Sequence, residues 1–220
     1  MEDRGLVERA RRHAALGDPV RLGIVEDLVS SDRTPMELQQ RSGLASNLLA
    51  YHLDILEQAG MITRCQSSGD RRRRYIRLRR SALPEPLTHA GTVPGAALFI
   101  CTQNSARSPL AAALWQQLTA APASSAGTHP APRIHRRAVA AGRRVGLDLA
   151  AEHPRSLEDV VALPELVVTV CDQAHEELDP EPRWLHWSVP DPVDVGTAAA
   201  FDATVRELRD RITALAGAPS

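Results

Sequence analysis

The segment Ala96-Ala97-Leu98-Phe99-Ile100-Cys101-Thr102-Gln103-Asn104-Ser105-Ala106-Arg107-Ser108 joins a short apolar run to a cysteine, a polar loop and an arginine. The run is too brief for a helix and reads as a buried strand, whereas Ser108 to Leu118, rich in Ala and Leu, reads as a helix. Cys101 through Ser108 is therefore a C-x5-R-S loop between a strand and a helix. Backbone N–H groups converging at a helix N-terminus bind a tetrahedral oxyanion, and the helix dipole with Arg107 favours a thiolate at Cys101. Cys65 to Arg71 has the same spacing, but it falls in a hairpin pattern with Asp70 inside the loop and no helix after it. Cys65 is read as structural or incidental.

Downstream, Arg136 to Val145 reads as a helix, Leu166 to Val170 as a second buried strand and Ala198 to Leu215 as a terminal amphipathic helix. Short apolar strands alternating with helices imply a three-layer α/β domain with a parallel sheet over residues 96–220. Upstream, Pro84, Pro86, Gly91 and Pro94 mark residues 83–95 as a linker. Residues 1–82 form the other expected domain. Its helices are about Glu2 to Leu16, one opened by Asp18-Pro19, one opened by the capping box Thr34-Pro35-Met36-Glu37, and one from Ser46 to Gly60. A hairpin follows, with seven arginines between Arg71 and Arg80 on its second arm. This is a winged helix-turn-helix pattern, mostly α with a β-hairpin wing.

With 220 residues, 43% hydrophobic and 24% charged, the chain has room for two domains and an ordinary globular composition, which excludes collagen-like, disordered and disulfide-miniprotein classes. No apolar run approaches the ~20 residues of a membrane span, and Met1 to Gly5 does not open a signal peptide, so a cytoplasmic protein without membrane contact is expected. All 26 basic residues are arginine, which excludes a P-loop and Schiff-base chemistry. The three cysteines make neither a disulfide framework nor a C-x-x-C zinc pair. Residues 1–90 hold 15 Arg against 12 acids and residues 91–220 hold 11 against 15, a basic part followed by an acidic one.

In the first part, "ALGDPVRLGIVEDL", "SGLASNLLAYHLDILEQAGMI" and "RRRRYIRL" together resemble the ArsR-type family of dimeric bacterial repressors. The resemblance implies a homodimer on double-stranded DNA, with Ser46, Asn47, Ala50 and Tyr51 nearest the bases and Arg71, Arg72, Arg73 and Arg74 along the backbone or minor groove. His52 is read as a packed helix histidine. Where that family carries a cysteine pair for metal, this chain has Met36-Glu37-Leu38-Gln39-Gln40, so no metal site is expected there.

In the second part, "CTQNSARS", "SSAGTHP", "VVTVCDQAHEE" and "HWSVPDP" occur in the order of the low-molecular-weight phosphotyrosine phosphatase superfamily and resemble its arsenate reductase branch. That resemblance implies Cys101 as nucleophile, Arg107 as oxyanion clamp, Asn104 and Ser108 supporting loop and thiolate, and Asp191 as general acid, with Thr102, Gln103, Asn104, Ser105, Ala106 and Arg107 forming the oxyanion loop. Three departures qualify it. Val193 and Asp194 stand where the phosphatases carry aromatic residues, which favours a small oxyanion such as arsenate over phosphotyrosine. Gln103 replaces a common loop glycine and is expected to strain or narrow the cradle. Cys171 occupies the place of a second redox cysteine, but Leu178 stands at the third, so Cys171 is either a redox partner or a buried strand-end cysteine.

The expected function is a DNA-binding regulator joined to a domain that reduces arsenate to arsenite with an external mycothiol-, glutathione- or thioredoxin-type reductant and no bound cofactor. The alternatives are a repressor whose second domain senses an oxyanion or arsenite without turnover, and a tyrosine phosphatase-like enzyme.

Overall fold

The computed structural model describes residues 4–83, 95–178 and 180–217. The expected linker thus lies, apart from its two end residues, outside the described residues. The chain divides into two compact units, Met1–Ser67 with Arg71–Thr88, and Ser68–Asp70 with His89–Ser220. Among the described residues no helix is long and apolar enough to cross a membrane.

The first unit is helical with one hairpin: α1 (Arg4–Leu16), α2 (Pro19–Ser30), α3 (Pro35–Ser42), α4 (Ser46–Gln58), β1 (Ile62–Gln66) and β2 (Arg74–Leu78). Local chemistry sets the helix starts. Asp18 accepts from the amides of Val20 and Arg21 ahead of Pro19, and Thr34 exchanges capping-box bonds with Glu37 ahead of Pro35. Gly43 and Gly60 take positive φ just past the ends of α3 and α4, a conformation that costs glycine little. Leu28, Leu38, Leu53, Leu56, Met61, Tyr75 and Ile76 close the core. Arg64 of β1 is bonded to Glu57 and Asp54 of α4 at 2.5 and 2.6 Å.

The hairpin is shorter than the sequence pattern predicts. Its antiparallel register runs from Ile62 opposite Leu78 to Gln66 opposite Arg74, so Arg71, Arg72 and Arg73 fall in the connecting turn. The Arg73 carbonyl accepts from the Ser67 amide, which closes that turn.

The second unit carries a parallel sheet in the order β4-β3-β5-β6, built from β3 (Ala97–Cys101), β4 (Ala123–Gly127), β5 (Leu166–Thr169) and β6 (Leu185–His186). The helices are α5 (Arg107–Thr119), α6 (Arg136–Arg144), α7 (Asp172–Leu178), α8 (Pro192–Val195) and α9 (Ala198–Ala216). Every residue of β3 is buried, as a strand flanked on both edges and covered on both faces requires. Phe99 lies with its ring 5.9 Å from Trp115 of α5 and 5.8 Å from Trp187. From β3 the chain goes first to β4 on one side and then to β5 on the other. Such a reversal opens a crevice at the carboxyl ends of the two strands, where ligands of open α/β sheets bind. Cys101 ends β3, and Cys171 lies two residues beyond β5.

Candidate active site

The loop from Cys101 to Arg107 is shaped from outside by its neighbours. The carbonyls of Cys101, Thr102, Gln103 and Ser105 accept from the amides of Thr128, His129, Ala131 and His135. With those carbonyls turned outward, the amides of residues 103–107 are given to no backbone carbonyl among the described residues. Helix α5 begins at Arg107 with no side-chain cap, so its unpaired N–H groups join the same cradle.

Asn104 takes φ +47° and is the loop's left-handed residue. The strain expected at Gln103 therefore falls one position later, on a residue type that tolerates αL better than most. Asn104 is also tied down by its side chain. Its Nδ2 donates to Ser108 Oγ at 2.9 Å and to Ser125 Oγ at 2.8 Å, and its Oδ1 accepts from the Arg155 amide at 2.9 Å. Ser108 Oγ, which accepts from Asn104, lies 3.0 Å from Cys101 Sγ and also reaches the Ala126 carbonyl, to which it donates at 3.5 Å. Asn104, Ser108 and Cys101 thus form a continuous polar contact from the loop's left-handed residue to the cysteine sulfur.

Arg107 is buried, with Nη1 donating to the Val189 carbonyl at 3.0 Å and Nη2 to Asp191 Oδ2 at 2.5 Å. Burial alone would lower its pKa, but the charges of Cys171, Asp191 and Cys101 outweigh this and raise it. Asp191 also accepts from the Val193 amide through Oδ1 as the N-cap of α8, which holds its carboxyl in place. Asp172 adds to the negative field at Arg107. Burial pushes its carboxyl up most strongly, but the hydrogen bonds it accepts, that from His186 at 3.1 Å foremost, together with the charge of His186 outweigh this and hold it at about 2.

Thr102, expected in the oxyanion cradle, turns elsewhere. Its amide and hydroxyl lie 3.2 and 3.3 Å from Cys171 Sγ, which also accepts from the Ala174 amide at 3.4 Å. Burial pushes the Cys171 thiol up, with nearby Arg107 opposing and Cys101 reinforcing the shift. Both cysteines of the unit are thus free thiols at one loop. Gln103 is exposed, its Oε1 accepting from Ser105 Oγ at 3.5 Å, and Ala106 is buried at the N-cap of α5. Cys65 sits half-buried in β1, in the other unit.

Three positions went unrecognised in the sequence. Arg155 holds the Asn104 carbonyl oxygen with its amide and the Ser125 carbonyl with its Nε, and nothing in the local sequence distinguishes it. Val189 contributes only a backbone carbonyl. Gly127, inside "SSAGTHP", passes so close to the loop that a Cβ there would stand 2.7 Å from the Thr102 carbonyl oxygen and 3.0 Å from Asn104 Cβ. Gly127→Ala is therefore expected to destabilise the chain by about 1–3 kcal/mol and to weaken phosphate or arsenate binding. Urea unfolding with and without saturating phosphate checks both effects.

In the first unit Ser46, Asn47, Ala50 and Tyr51 are all exposed on one face of α4, while Leu49, His52, Leu53 and Leu56 are buried on the other. His52 lies 3.8 Å from Asp18. Arg71, Arg72, Arg73 and Arg74 are exposed as well.

Residues 96–218 match the sequence model described as low molecular weight phosphotyrosine protein phosphatase. Similar solved structures include an arsenate reductase from Archaeoglobus fulgidus, 29% identical over 55% of this chain and 98% of that one, with a TM-score of 0.49. Wzb of Vibrio vulnificus in complex with benzylphosphonate is 18% identical over 56% of this chain and 98% of that one, with a TM-score of 0.50, a likeness of fold. The YwlE arginine phosphatase of Geobacillus stearothermophilus is 25% identical over 56% and 92%, with a TM-score of 0.48. No curated protein matches the chain.

Proposed function

The chain belongs to the low molecular weight phosphotyrosine protein phosphatase family through residues 96–218, and from that membership we propose that it is an arsenate reductase coupled to a DNA-binding regulator. The observation that carries the reductase reading is the second thiol. Phosphate-ester hydrolysis on a cysteine needs one nucleophilic sulfur, whereas here Cys171 Sγ is bonded to Thr102 of the same loop. Val193 and Asp194 after Asp191-Pro192 offer no aromatic wall for a phenyl ring.

In this reading the Cys101 thiolate attacks arsenic, the loop amides and Arg107 hold the remaining oxygens, and Asp191 protonates the departing oxygen. An external thiol then completes the reduction, because Leu178 leaves no third cysteine to carry a disulfide outward. The test is arsenite production by the purified chain set beside hydrolysis of a phosphotyrosine peptide. Preference for arsenate supports the reductase. Preference for the peptide makes the protein a phosphatase, and ligand binding without product makes it a sensor.

The DNA-binding part rests on the exposed α4 face, the arginines that follow it and the ordered ArsR-type motifs. Residues 1–82 then act as a winged helix-turn-helix in a cytoplasmic homodimer, with Ser46, Asn47, Ala50 and Tyr51 at base edges. Changing Arg71 through Arg74 together to serine is expected to weaken duplex binding and to flatten its salt dependence by about 0.9 log unit per lost phosphate contact. Tyr51→Ala is expected instead to alter sequence preference. Selection from a random duplex pool, followed by salt titration of the winners, measures both. A pool that yields no enriched sequence removes the regulator from the proposal.

A further inference from the structure

An open cleft of about 680 Å³ is lined by Gln103 and Ser105 of the loop together with Arg133, His135, Arg136 and Arg137. Arg136 and Arg137 occupy the first turn of α6, which holds no acid, behind the N-cap His135. A helix N-terminus is already positive, and stability there favours Asp and Glu over arginine. The three guanidiniums are exposed, and none pairs with a carboxylate among the described residues. Burial and then the charge of Arg137 push the His135 imidazole down, with Arg136 and Arg133 adding to it and Asp191 opposing. Positive charge is thus gathered beside Gln103 and Ser105, with no carboxylate paired to it among the described residues.

The buried thiols say what must come there. Cys101 and Cys171 are only 2% and 1% exposed. With Leu178 at the third relay position, no disulfide is passed to the surface, so the reductant has to reach the loop itself and must be small. We propose that the arginine cleft docks a low-molecular-weight thiol bearing carboxylates, of the glutathione kind, whose carboxylates pair with Arg133, Arg136 and Arg137 while its sulfur enters past Gln103 and Ser105. This rests on the reductase reading above.

The electrons balance as follows. Cys101 displaces one oxygen of arsenate, which leaves as water, and As(V) is left bonded to Sγ. Cys171 Sγ, giving up its proton, attacks Cys101 Sγ and forms an S–S bond, and the S–As bond breaks with its electron pair on arsenic, which departs as arsenite, As(III). The docked thiolate attacks the Cys101–Cys171 disulfide, forming a mixed disulfide and freeing the other cysteine. A second molecule of the thiol attacks the sulfur of the first and releases the oxidised dimer. Two thiols and one arsenate become one disulfide, one arsenite and one water, on which the two thiol protons end.

The experiment compares kcat/KM for glutathione and for uncharged 2-mercaptoethanol in arsenate reduction by the full chain, wild type beside the triple Arg133→Ala, Arg136→Ala, Arg137→Ala variant. Circular dichroism establishes that the variant is folded. The preference for glutathione is expected to fall about tenfold in the variant and to fall with salt in the wild type. An unchanged preference overturns the proposal. S-methylglutathione, which cannot react, is titrated calorimetrically in parallel. Saturable binding that the triple variant loses supports the cleft, and no binding to the wild type overturns it. Failure of every thiol to support turnover, by contrast, removes the reductase reading, so the two failures are distinct.

Discussion

Cys101→Ser is expected to lower arsenite production by at least about 10³-fold while leaving the fold intact. The substitution is nearly isosteric. Cys101 is buried at the end of β3, and a serine hydroxyl there keeps Ser108 Oγ as a hydrogen-bond partner in place of the 3.0 Å contact to sulfur. What it loses is the nucleophile. A thiol ionises in reach of neutral pH and its thiolate attacks directly, whereas a hydroxyl needs a general base. The groups around position 101 are the wrong kind for that task. Ser108 is a hydroxyl and no base, Arg107 is a guanidinium, and Asp191 is held by Arg107 and the Val193 amide. The loop itself survives, so phosphate should still protect the variant against urea. Lost turnover with retained phosphate protection assigns the nucleophile. Lost turnover with lost protection would mean a damaged loop, and retained turnover would rule out Cys101 as the attacking atom.

How much of this site the sequence discloses depends on how each part is made. The strand before Cys101 is an unbroken apolar run because β3 is buried on both faces, and the helix after Arg107 is Ala- and Leu-rich because α5 packs on the sheet and on α9, so the loop between them is legible. Strand β4 was not expected. Ala123-Ser124-Ser125-Ala126-Gly127 has no apolar run, since it lies at the sheet edge with only its last two residues buried and gives Ser125 and Gly127 to the loop. Two-residue β6 and seven-residue α7 are too short for a periodic signal. Asp191 was visible only through the order of motifs, and the Val189 carbonyl that fixes Arg107 leaves no trace in residue identity. Gln103 misled because a glycine position suggests positive φ, when it is Asn104 whose side chain makes three bonds that hold the left-handed turn. In the first unit the caps Asp18 and Thr34 were readable from chemistry alone. The extent of the hairpin was not, because consecutive arginines fit a strand or a turn equally well until the register with β1 is known.

Asp191→Asn should separate two quantities that usually fall together: turnover is expected to drop by about 10² to 10⁴-fold, while phosphate or arsenate binds more tightly. The first effect follows from the chemistry of the departing oxygen. An oxygen leaving arsenate as hydroxide is a poor leaving group, and Asp191 is the carboxyl that Arg107 holds beside the loop. An amide in its place still accepts from the Val193 amide, so the N-cap of α8 is preserved, but it has no carboxylic proton to give. The second effect follows from Arg107. One of its nitrogens is given to the Val189 carbonyl and the other to Asp191 Oδ2, so an incoming oxyanion competes with a carboxylate already in place. It also meets the negative charge of that carboxylate at close range. The amide would remove both the competitor and the repulsion while leaving the Val189 anchor, and the guanidinium would turn to the anion as a bidentate clamp. Phosphate titration by calorimetry and single-turnover arsenite release together read the two quantities. Weaker phosphate binding in the variant would show that Asp191 positions Arg107 instead of competing for it. Unchanged turnover would place the proton donor elsewhere.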